Sequence, residues 1–395
     1  MSPCRFSFPN NETRYWGGQS PPHGAVLGGL ASPHPATRIA ALRAAHRRAD
    51  LPLTAMAQGL QDAHPEVQLA ARLLAGNDPH WQALLQGCTE PQRFAPLRCL
   101  TGHRQSVTAL ALSADGCLLA SCGDDRTIHL WDLVTGLKLR TLVGHGHAVT
   151  SVAIAPTGTL LSSGRDRVIA AWDPATGRPI RLLRGHSGPV NSVAIAPDGN
   201  TVVSGSQDST IRVWDLATGQ TRRVIPAHTN LVNAVALSPD GGTIASCSWN
   251  TAIRVWDTAT GRQRWEFVGH SARVWSFAFS PDNGRLFSGS RDKTIAVWDL
   301  QTGQAIAQLE GHKGEVRHLA LSADGQVLFS ASFREIKAWD VATYREICTL
   351  RGHREVIHAL ALSRDRRILV SGSEDRTLLV WGVRLEPGEL AGNHT

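Results

Sequence analysis

The chain has 395 residues, 42% of them hydrophobic, and its 40 lysines and arginines outnumber 33 acidic residues to give a net charge of +7. This composition predicts a folded protein with a sizeable core and excludes a collagen-like or low-complexity disordered chain. The basic excess is small and contains no run of five like charges, which argues against an electrostatic arm for nucleic acid.

The seven cysteines show no C-x-x-C motif and no repeated pairing, which argues against a zinc site or a disulfide framework and favours a reducing compartment. The N-terminus lacks a basic stretch followed by an apolar one, and no apolar run approaches the length of a membrane span. We therefore expect a cytoplasmic protein without a membrane span.

The first quarter of the chain divides into two parts. Residues 1–30 are rich in Gly, Pro, Ser and Asn, which predicts an irregular segment, either packed against the protein or disordered. Residues 31–92 instead predict helices, because Ser32-Pro33-His34-Pro35 and Asp62-Ala63-His64-Pro65 each precede Ala and Leu at helical spacing.

Two further helices are predicted over Leu53–Gln61 and Pro79–Gln86. The two copies of the pattern, 30 residues apart, resemble HEAT-like helical repeats, which implies a protein-binding solenoid. Because a free solenoid needs about three or more stacked repeats, two units should dock on the rest of the chain or on a partner.

The rest of the chain is an internal repeat. A histidine recurs every 41 or 42 residues, preceded by Gly in six cases and by Ala227 in the fourth, and a tryptophan follows each histidine after 27 or 28 residues. The histidines are His103, His145, His186, His228, His270, His312 and His353. The tryptophans are Trp131, Trp172, Trp214, Trp256, Trp298, Trp339 and Trp381, and all but the last precede Asp. Apolar runs such as Val190–Ala196 and Thr201–Ser204, separated by Pro197-Asp198-Gly199, predict short strands joined by tight turns.

This pattern resembles the WD40-repeat family, whose units are four-stranded blades of a β-propeller. The resemblance implies an all-β, seven-bladed propeller over residues 94–386, preceded by the small helical region and followed by a disordered tail at residues 387–395. The ring should close when Pro96–Leu100 pairs with Leu378–Trp381, the N-terminal strand beside the C-terminal one. The order of a short HEAT-like leader before seven repeats is also similar to that in bacterial WD-repeat proteins.

Each repeat also holds a serine, and most hold an aspartate, at fixed distances from the tryptophan. The serines are Ser121, Ser162, Ser204, Ser246, Ser288, Ser330 and Ser371. The aspartates are Asp125, Asp166, Asp208, Asp292 and Asp375. With the histidine and tryptophan they look like the family's hydrogen-bonded Asp–His–Ser–Trp tetrad. Seven copies cannot all be nucleophilic active sites, so we assign these residues to stability.

The fourth and sixth repeats depart from the pattern. Asn250 replaces the aspartate of the fourth and can accept the same hydrogen bond without a charge. In the sixth, Phe333-Arg334-Glu335 forms a turn that is one residue shorter and has no evident aspartate. We expect the sixth blade to be the least stable, and such departures mark either a functional site or drift.

Propellers of this family usually bind peptides or proteins on the narrow face, near the central channel. The resemblance points to the residue that begins the first strand of each blade and to the residue before the turn aspartate. The first set is Thr108, Thr150, Asn191, Asn233, Trp275, Arg317 and His358. The second set is Asp124, Arg165, Gln207, Trp249, Arg291 and Glu374.

Tryptophan and arginine, the residue types enriched at binding hot spots, are concentrated in blades 4–6. The candidate partner-binding residues are Trp249, Arg273, Trp275, Arg291, Arg317, His358 and Arg165. We expect Trp249 beside Trp275 and Arg291 beside Arg317, where they would bind an acidic or phosphorylated segment with an apolar anchor. The alternative is that the tryptophans fill the channel mouth and the arginines are solvated.

These features favour a non-catalytic protein-interaction scaffold or adaptor within a multiprotein assembly. A nucleic-acid-associated regulatory or assembly factor is the alternative, and it predicts a steep salt dependence of binding. An enzyme is disfavoured because no P-loop, zinc-protease, nucleophile-elbow or kinase motif occurs. The one close histidine pair, His145 and His147, includes a tetrad member, so we predict no metal, cofactor or small-molecule substrate.

Overall fold

The computed structural model describes residues 29–47, 58–60, 62–75 and 90–383. The leader contributes helix α1 (Pro35–Arg47), helix α2 (Pro65–Ala75) and a 3₁₀ turn at Pro91–Arg93, and residues 29–30 and 58–60 are also helical. The predictions for the helix at residues 79–86, for residues 1–28 and for the tail at residues 387–395 lie outside the described residues.

Twenty-eight strands follow along the described part of the chain, beginning with β1 (Phe94–Thr101). Blade 1 contains β2 (Val107–Leu112), β3 (Leu118–Gly123), β4 (Thr127–Asp132) and β5 (Leu137–Val143). Blade 2 contains β6 (Val149–Ile154), β7 (Leu160–Gly164), β8 (Val168–Trp172) and β9 (Pro179–Arg184). Blade 3 contains β10 (Val190–Ile195), β11 (Thr201–Ser206), β12 (Thr210–Asp215) and β13 (Thr221–Pro226).

The remaining blades repeat this arrangement. Blade 4 contains β14 (Val232–Leu237), β15 (Thr243–Ser248), β16 (Ile253–Asp257) and β17 (Gln263–Phe267). Blade 5 contains β18 (Val274–Phe279), β19 (Arg285–Ser290), β20 (Ile295–Asp299) and β21 (Ala305–Leu309). Blade 6 contains β22 (His318–Leu321), β23 (Val327–Ser332), β24 (Glu335–Asp340) and β25 (Glu346–Arg351). Blade 7 contains β26 (Ile357–Leu362), β27 (Leu369–Ser373) and β28 (Thr377–Val383).

The seventh sheet closes the ring with strand β1. Its strand order is β1-β28-β27-β26, whereas the other six sheets follow the order of the sequence. Strand β1 runs antiparallel to β28, with Leu100 opposite Leu378 and Pro96 opposite Trp381. The predicted seven-bladed propeller and its closure are confirmed. Closure completes the seventh four-stranded sheet from both ends of the ring, and the innermost edge strand of each described sheet is short.

Burial within a blade is greatest in the second strand and least in the outermost strand, and the innermost strand is intermediate. The second strand of a blade is buried along its whole length, as in β11, whereas the outermost strand exposes most of its residues, as in β13. In blade 3 the turn after the first strand favours glycine, because Gly199 has a φ of 71° and a Cβ there would lie 3.0 Å from Thr157 of the preceding blade. Asn283 in blade 5 and Arg366 in blade 7 take the same position, also with positive φ. The apolar cores lie between adjacent blades, as in the buried cluster that joins Leu161 of blade 2 to Val193 and Trp214 of blade 3.

The helical leader docks on the propeller where the ring closes. Leu69 of α2 belongs to the same buried cluster as Leu97 of β1 and Trp381 of β28. Arg43 of α1 forms an ion pair with Asp132 at the end of β4. The docking predicted as one of two alternatives is thus on the propeller itself. The likeness to HEAT repeats and the domain boundaries stay predictions.

The leader and the histidine segments lie on opposite faces of the ring. In an antiparallel sheet the turns β2–β3 and β4–β5 lie at one end and the turn β3–β4 at the other. The leader contacts the first end, where Cys117 Sγ lies 3.9 Å from the Leu73 carbonyl and Asp132 pairs with α1. We call the other end, with the seven histidine segments and the turns after the second strands, the histidine face.

Among the described residues, no helix is both long and apolar enough to cross a membrane.

Candidate partner-binding site

Five blades contain a complete hydrogen-bonded tetrad beneath the histidine face. In blade 3, Trp214 Nε1 donates to Ser204 Oγ (2.8 Å), Ser204 contacts His186 Nε2 (2.8 Å), and His186 Nδ1 contacts Asp208 Oδ2 (2.7 Å). Blades 1, 2, 5 and 7 repeat these contacts. All seven tetrad serines are fully buried. A hydroxyl that is fully buried and already bonded on both sides cannot attack a substrate, so the arrangement serves stability.

The tetrad aspartate also holds its turn in place. Asp208 accepts hydrogen bonds from the Ser187 amide (3.0 Å), the Thr210 amide (3.0 Å) and the Thr210 hydroxyl (2.6 Å). Burial alone would raise the pKa of Asp208, but the hydrogen bonds from Thr210 and His186 outweigh it and lower the pKa to about 2. The carboxylate is therefore ionised near neutral pH and connects the histidine segment to the turn between β11 and β12.

Blade 4 has an incomplete tetrad. His228 Nε2 contacts Ser246 Oγ (2.9 Å), but His228 Nδ1 has no hydrogen-bond partner among the described residues. The hydrogen bond expected between Asn250 and His228 is not formed. Burial, followed by the positive charge of Arg254, lowers the pKa of His228 to about 4.

Blade 6 has a carboxylate that the sequence analysis missed. Glu335 Oε1 lies 3.6 Å from His312 Nδ1, beyond hydrogen-bond distance, and that nitrogen has no hydrogen-bond partner in the described structure. Burial lowers the pKa of His312 to about 4, and the nearby Glu335 carboxylate opposes this shift only in part. The available signal was the acidic residue one position later than usual after Ser330. The expected low stability of this blade stays a prediction.

The seven residues predicted to begin the first strands each lie one position from the strand's first residue, and they fall into two groups. In blades 1–4 a threonine or asparagine side chain donates a hydrogen bond to a carbonyl of the next blade. The pairs are Thr108–Val149 (2.6 Å), Thr150–Val190 (2.6 Å), Asn191–Val232 (2.8 Å) and Asn233–Val274 (3.0 Å). These four side chains clamp neighbouring blades together. Trp275, Arg317 and His358 occupy the same position in blades 5–7 and form other contacts.

An arginine from the following blade lies over the ring of each of the two candidate tryptophans. Arg273 Cζ lies 3.6 Å from the ring centroid of Trp249, which is 45% exposed. Arg317 Cζ lies 4.4 Å from the ring centroid of Trp275, which is partly buried. Trp275 Nε1 has no acceptor among the described residues. Trp249 and Trp275 thus each form a cation–π pair with an arginine, and the expected contact between the two tryptophans stays a prediction.

Arg291 and Arg317 are joined by Glu315, which the sequence analysis did not select. Glu315 Oε1 lies 2.9 Å from Arg291 Nε, and Glu315 Oε2 lies 2.8 Å from Arg317 Nη2. Glu315 occupies in blade 6 the position that Arg273 occupies in blade 5, two residues before the first-strand residue. One carboxylate thus serves two guanidiniums, and Arg273 has no ion-pair partner in the described part of the chain. The cluster keeps an excess of positive charge.

The last two candidates lie at the edges of this cluster. His358 Nε2 contacts Glu374 Oε1 (2.9 Å). Burial lowers the pKa of His358, with Glu374 opposing and Arg317 assisting the shift. Arg165 is exposed on blade 2, where its backbone amide bonds the Ala148 carbonyl, and the structure does not bring it to blades 4–6.

A His–Asp–His cluster in blade 1 was also missed by the sequence analysis. His129 stacks on the tetrad histidine His103 with ring centroids 4.1 Å apart and planes 10° apart, near Asp125. The lone pair of an imidazole nitrogen lies in the ring plane, so two parallel rings cannot both bind one ion between them. Burial, then the charges of His103 and Lys138, lower the pKa of His129 to about 3. The stacked pair therefore belongs to the packing of blade 1.

Comparison with known proteins agrees with this architecture. The family model of the WD domain, G-beta repeat matches seven consecutive segments of the chain. They are residues 94–132, 136–173, 177–215, 219–257, 261–299, 303–340 and 344–382. The chain belongs to the WD-repeat family.

Individual relatives match over shorter stretches. Nuclear distribution protein nudF 2 of Aspergillus clavatus is 46% identical over 65 residues, 15% of each chain. Nuclear distribution protein PAC1 of Komagataella phaffii is 32% identical over 125 residues, 31% of this chain and 25% of the relative. Eukaryotic translation initiation factor 3 subunit I of Neurospora crassa is 37% identical over 65 residues, 16% of this chain and 19% of the relative. The chain thus spans a quarter or less of these eukaryotic relatives, and the expected bacterial origin stays a prediction.

Proposed function

We propose that this WD-repeat protein is a non-catalytic interaction scaffold that binds a protein segment on the histidine face of blades 4–6. One observation carries the proposal. Four of the seven first-strand residues clamp adjacent blades, whereas Trp275, Arg317 and His358 do not, and the first two of these form a tryptophan–arginine cluster with Trp249 and Arg273. Side chains released from a structural role at a channel rim are available to a partner.

The chemistry of the cluster favours an anionic segment with an apolar anchor. Arg291 and Arg317 share the single carboxylate of Glu315, so a partner carboxylate or phosphoryl group adds a favourable second anion. The exposed ring surface of Trp249 offers an apolar contact to such a segment. Tryptophan and arginine in a partly desolvated cluster are typical of interface hot spots.

We also propose that the protein acts within a multiprotein assembly. The names of the relatives refer to nuclear distribution and to translation initiation, which supports a role in an assembly without specifying one for this chain. The described helices of the leader contact the opposite face of the ring, which supports a role for the histidine face in binding a partner. A cytoplasmic location is part of this proposal.

The test compares wild type with the triple variant Trp249→Ala, Trp275→Ala and Arg317→Ala as bait in a lysate of the native host. Proteins retained by wild type and lost by the variant support the scaffold and its site. Arg104→Ala, which removes an exposed arginine from the same face of blade 1, is the matched control and should retain the same proteins.

Equal retention by wild type and the triple variant would contradict the proposed site. Nucleic acid can also stack on aromatic and guanidinium groups, so it is the second outcome of this test. Recovery of RNA or DNA that is released steeply by salt, with no protein lost by the variant, would favour the nucleic-acid alternative instead.

A further inference from the structure

Phe333 occupies in blade 6 the position that Trp249 occupies in blade 4. Each lies three residues after the tetrad serine, and Phe333 is 51% exposed against 45% for Trp249. The other five blades hold polar or charged residues at this position: Asp124, Arg165, Gln207, Arg291 and Glu374. The turns of the histidine face therefore expose two large aromatic rings, both within the half-ring that holds the proposed site.

Both rings are partly covered by a guanidinium group. Arg334 Cζ lies 4.8 Å from the ring centroid of Phe333, and its Nη2 lies 3.4 Å from Glu355 Oε2. Arg273 lies over Trp249 in the same way. A cation on one side of each ring limits its rotation and leaves the rest of the ring as apolar surface.

The two aromatic residues also lie on the two turns that lack the tetrad aspartate. His228 Nδ1 and His312 Nδ1 have no hydrogen-bond partner among the described residues. In blade 5 between them, Asp292 accepts hydrogen bonds from His270, the Ser271 amide and Thr294. In blades 4 and 6, therefore, an exposed aromatic ring occurs on a turn that lacks the hydrogen bonds of the tetrad aspartate. Departures from a repeat's stabilising pattern are expected where function outweighs stability.

A cation separates the two aromatic positions. Arg291, 53% exposed, is the equivalent residue of blade 5, and its backbone amide bonds the Arg273 carbonyl at 2.8 Å. The order along the rim of blades 4–6 is therefore aromatic, cationic, aromatic. No other set of three neighbouring blades in the described ring has this order at these positions.

We propose that Phe333 is a second apolar anchor and that the partner is an extended protein segment with an anionic residue between two apolar ones. This inference rests on the proposed function and adds to it the pattern of the ligand. The complementary order is apolar opposite Trp249, anionic opposite Arg291, and apolar opposite Phe333.

The experiment uses the full chain and a phage-displayed random peptide library. Enriched peptides should carry Asp or Glu flanked on both sides by apolar residues. Synthetic copies of them should lose about tenfold in affinity, by fluorescence polarisation, for Phe333→Ala. Phe333→Leu, which keeps an apolar side chain, should retain most of the affinity. Phosphoserine in place of the acidic residue then distinguishes a phosphoryl from a carboxylate ligand.

A double-mutant cycle locates the contact. Truncating the peptide's second apolar residue to Ala should weaken binding to wild type but change little with Phe333→Ala. Peptides that lose affinity for the Trp275→Ala and Arg317→Ala variant but bind Phe333→Ala as tightly as wild type would overturn the second anchor and leave the proposed function standing. Peptides indifferent to both variants, or a library without enriched peptides, would overturn both. Because Phe333 is exposed, unchanged thermal unfolding of Phe333→Ala verifies its fold.

Discussion

Replacing Asn250 with aspartate should complete the interrupted tetrad of blade 4. His228 is only 7% exposed, and its Nδ1 lacks a partner, whereas the corresponding nitrogen in blade 3 bonds Asp208. A carboxylate at position 250 would accept from His228 and from the amide of Thr229, as Asp208 does from Ser187. A hydrogen bond to a charged group contributes about 1.5–3 kcal/mol, so we expect the free energy of unfolding to rise by about 2 kcal/mol at pH 7.

The gain should be larger in mild acid. Burial and the charge of Arg254 lower the pKa of His228 from 6.5 to about 4, so below pH 6.5 the unfolded chain binds a proton that the folded protein does not. Stability is therefore complete above pH 6.5 and falls as the pH decreases toward 4, with a loss of about 2 kcal/mol at pH 5 from this one group. The new carboxylate raises the pKa of His228 and should remove most of that loss.

Urea unfolding followed by tryptophan fluorescence at pH 7 and pH 5 measures both effects. Asn250→Ala is the matched control, because it leaves His228 without a partner, and its free energy of unfolding should stay within about 0.5 kcal/mol of wild type. If Asn250→Asp unfolds at the same or a lower urea concentration than wild type at both pH values, the assignment of the missing bond is refuted.

Three further changes test other parts of the structure. Asp292→Asn disrupts an intact tetrad and should lower the free energy of unfolding by about 2–4 kcal/mol in the same assay; a loss under about 0.5 kcal/mol would contradict the role of the carboxylate. Leu69→Ala in α2 should lower the free energy of unfolding by about 2–5 kcal/mol, because this side chain is fully buried where the leader packs on the propeller. The exposed Leu137→Ala should change the free energy of unfolding little in parallel thermal unfolding. Glu315→Gln removes the carboxylate that two arginines share and should tighten binding of an acidic peptide, measured by polarisation; weaker binding would show that Glu315 itself is needed.

The fold could be predicted almost entirely from the sequence because a repeat constrains every blade in the same way. The sequence spacing of 27 or 28 residues between histidine and tryptophan, as from His186 to Trp214, recurs in all seven repeats and indicates one repeated four-stranded unit. Counting strands then required a closing partner for β28, and β1 pairs with it. The docking of the leader could not be decided in this way, because it depends on which apolar side chains of α2 match the surface at the ring seam.

The candidate site was only partly accessible from the sequence. Aligning the blades identified Trp249 and Arg291. The residues that such side chains contact depend on side-chain length and direction as well as on position in the alignment. Glu315 lies outside both aligned sets, yet its carboxylate spans two guanidiniums of adjacent blades. Phe333 was omitted from the aligned positions because its turn is one residue shorter and has neither an aspartate nor an asparagine at the position that follows. The clamping role of Asn233 likewise needed the position of a carbonyl in the next blade.

The missing turn aspartates should be detectable in the backbone dynamics of the histidine face. In blades 3 and 5 the amides of Ser187 and Ser271 donate to the tetrad carboxylate. No carboxylate serves the equivalent amides of Thr229 and Lys313 in the described structure, so local opening there breaks one bond fewer. Hydrogen exchange should therefore be faster at Thr229 and Lys313 than at Ser187 and Ser271. A peptide bound across the two aromatic turns should slow exchange at the first pair more than at the second. Equal rates at all four amides in the free protein would mean that other contacts hold these turns, and the coincidence of exposed aromatic rings with missing ties would then carry no dynamic consequence.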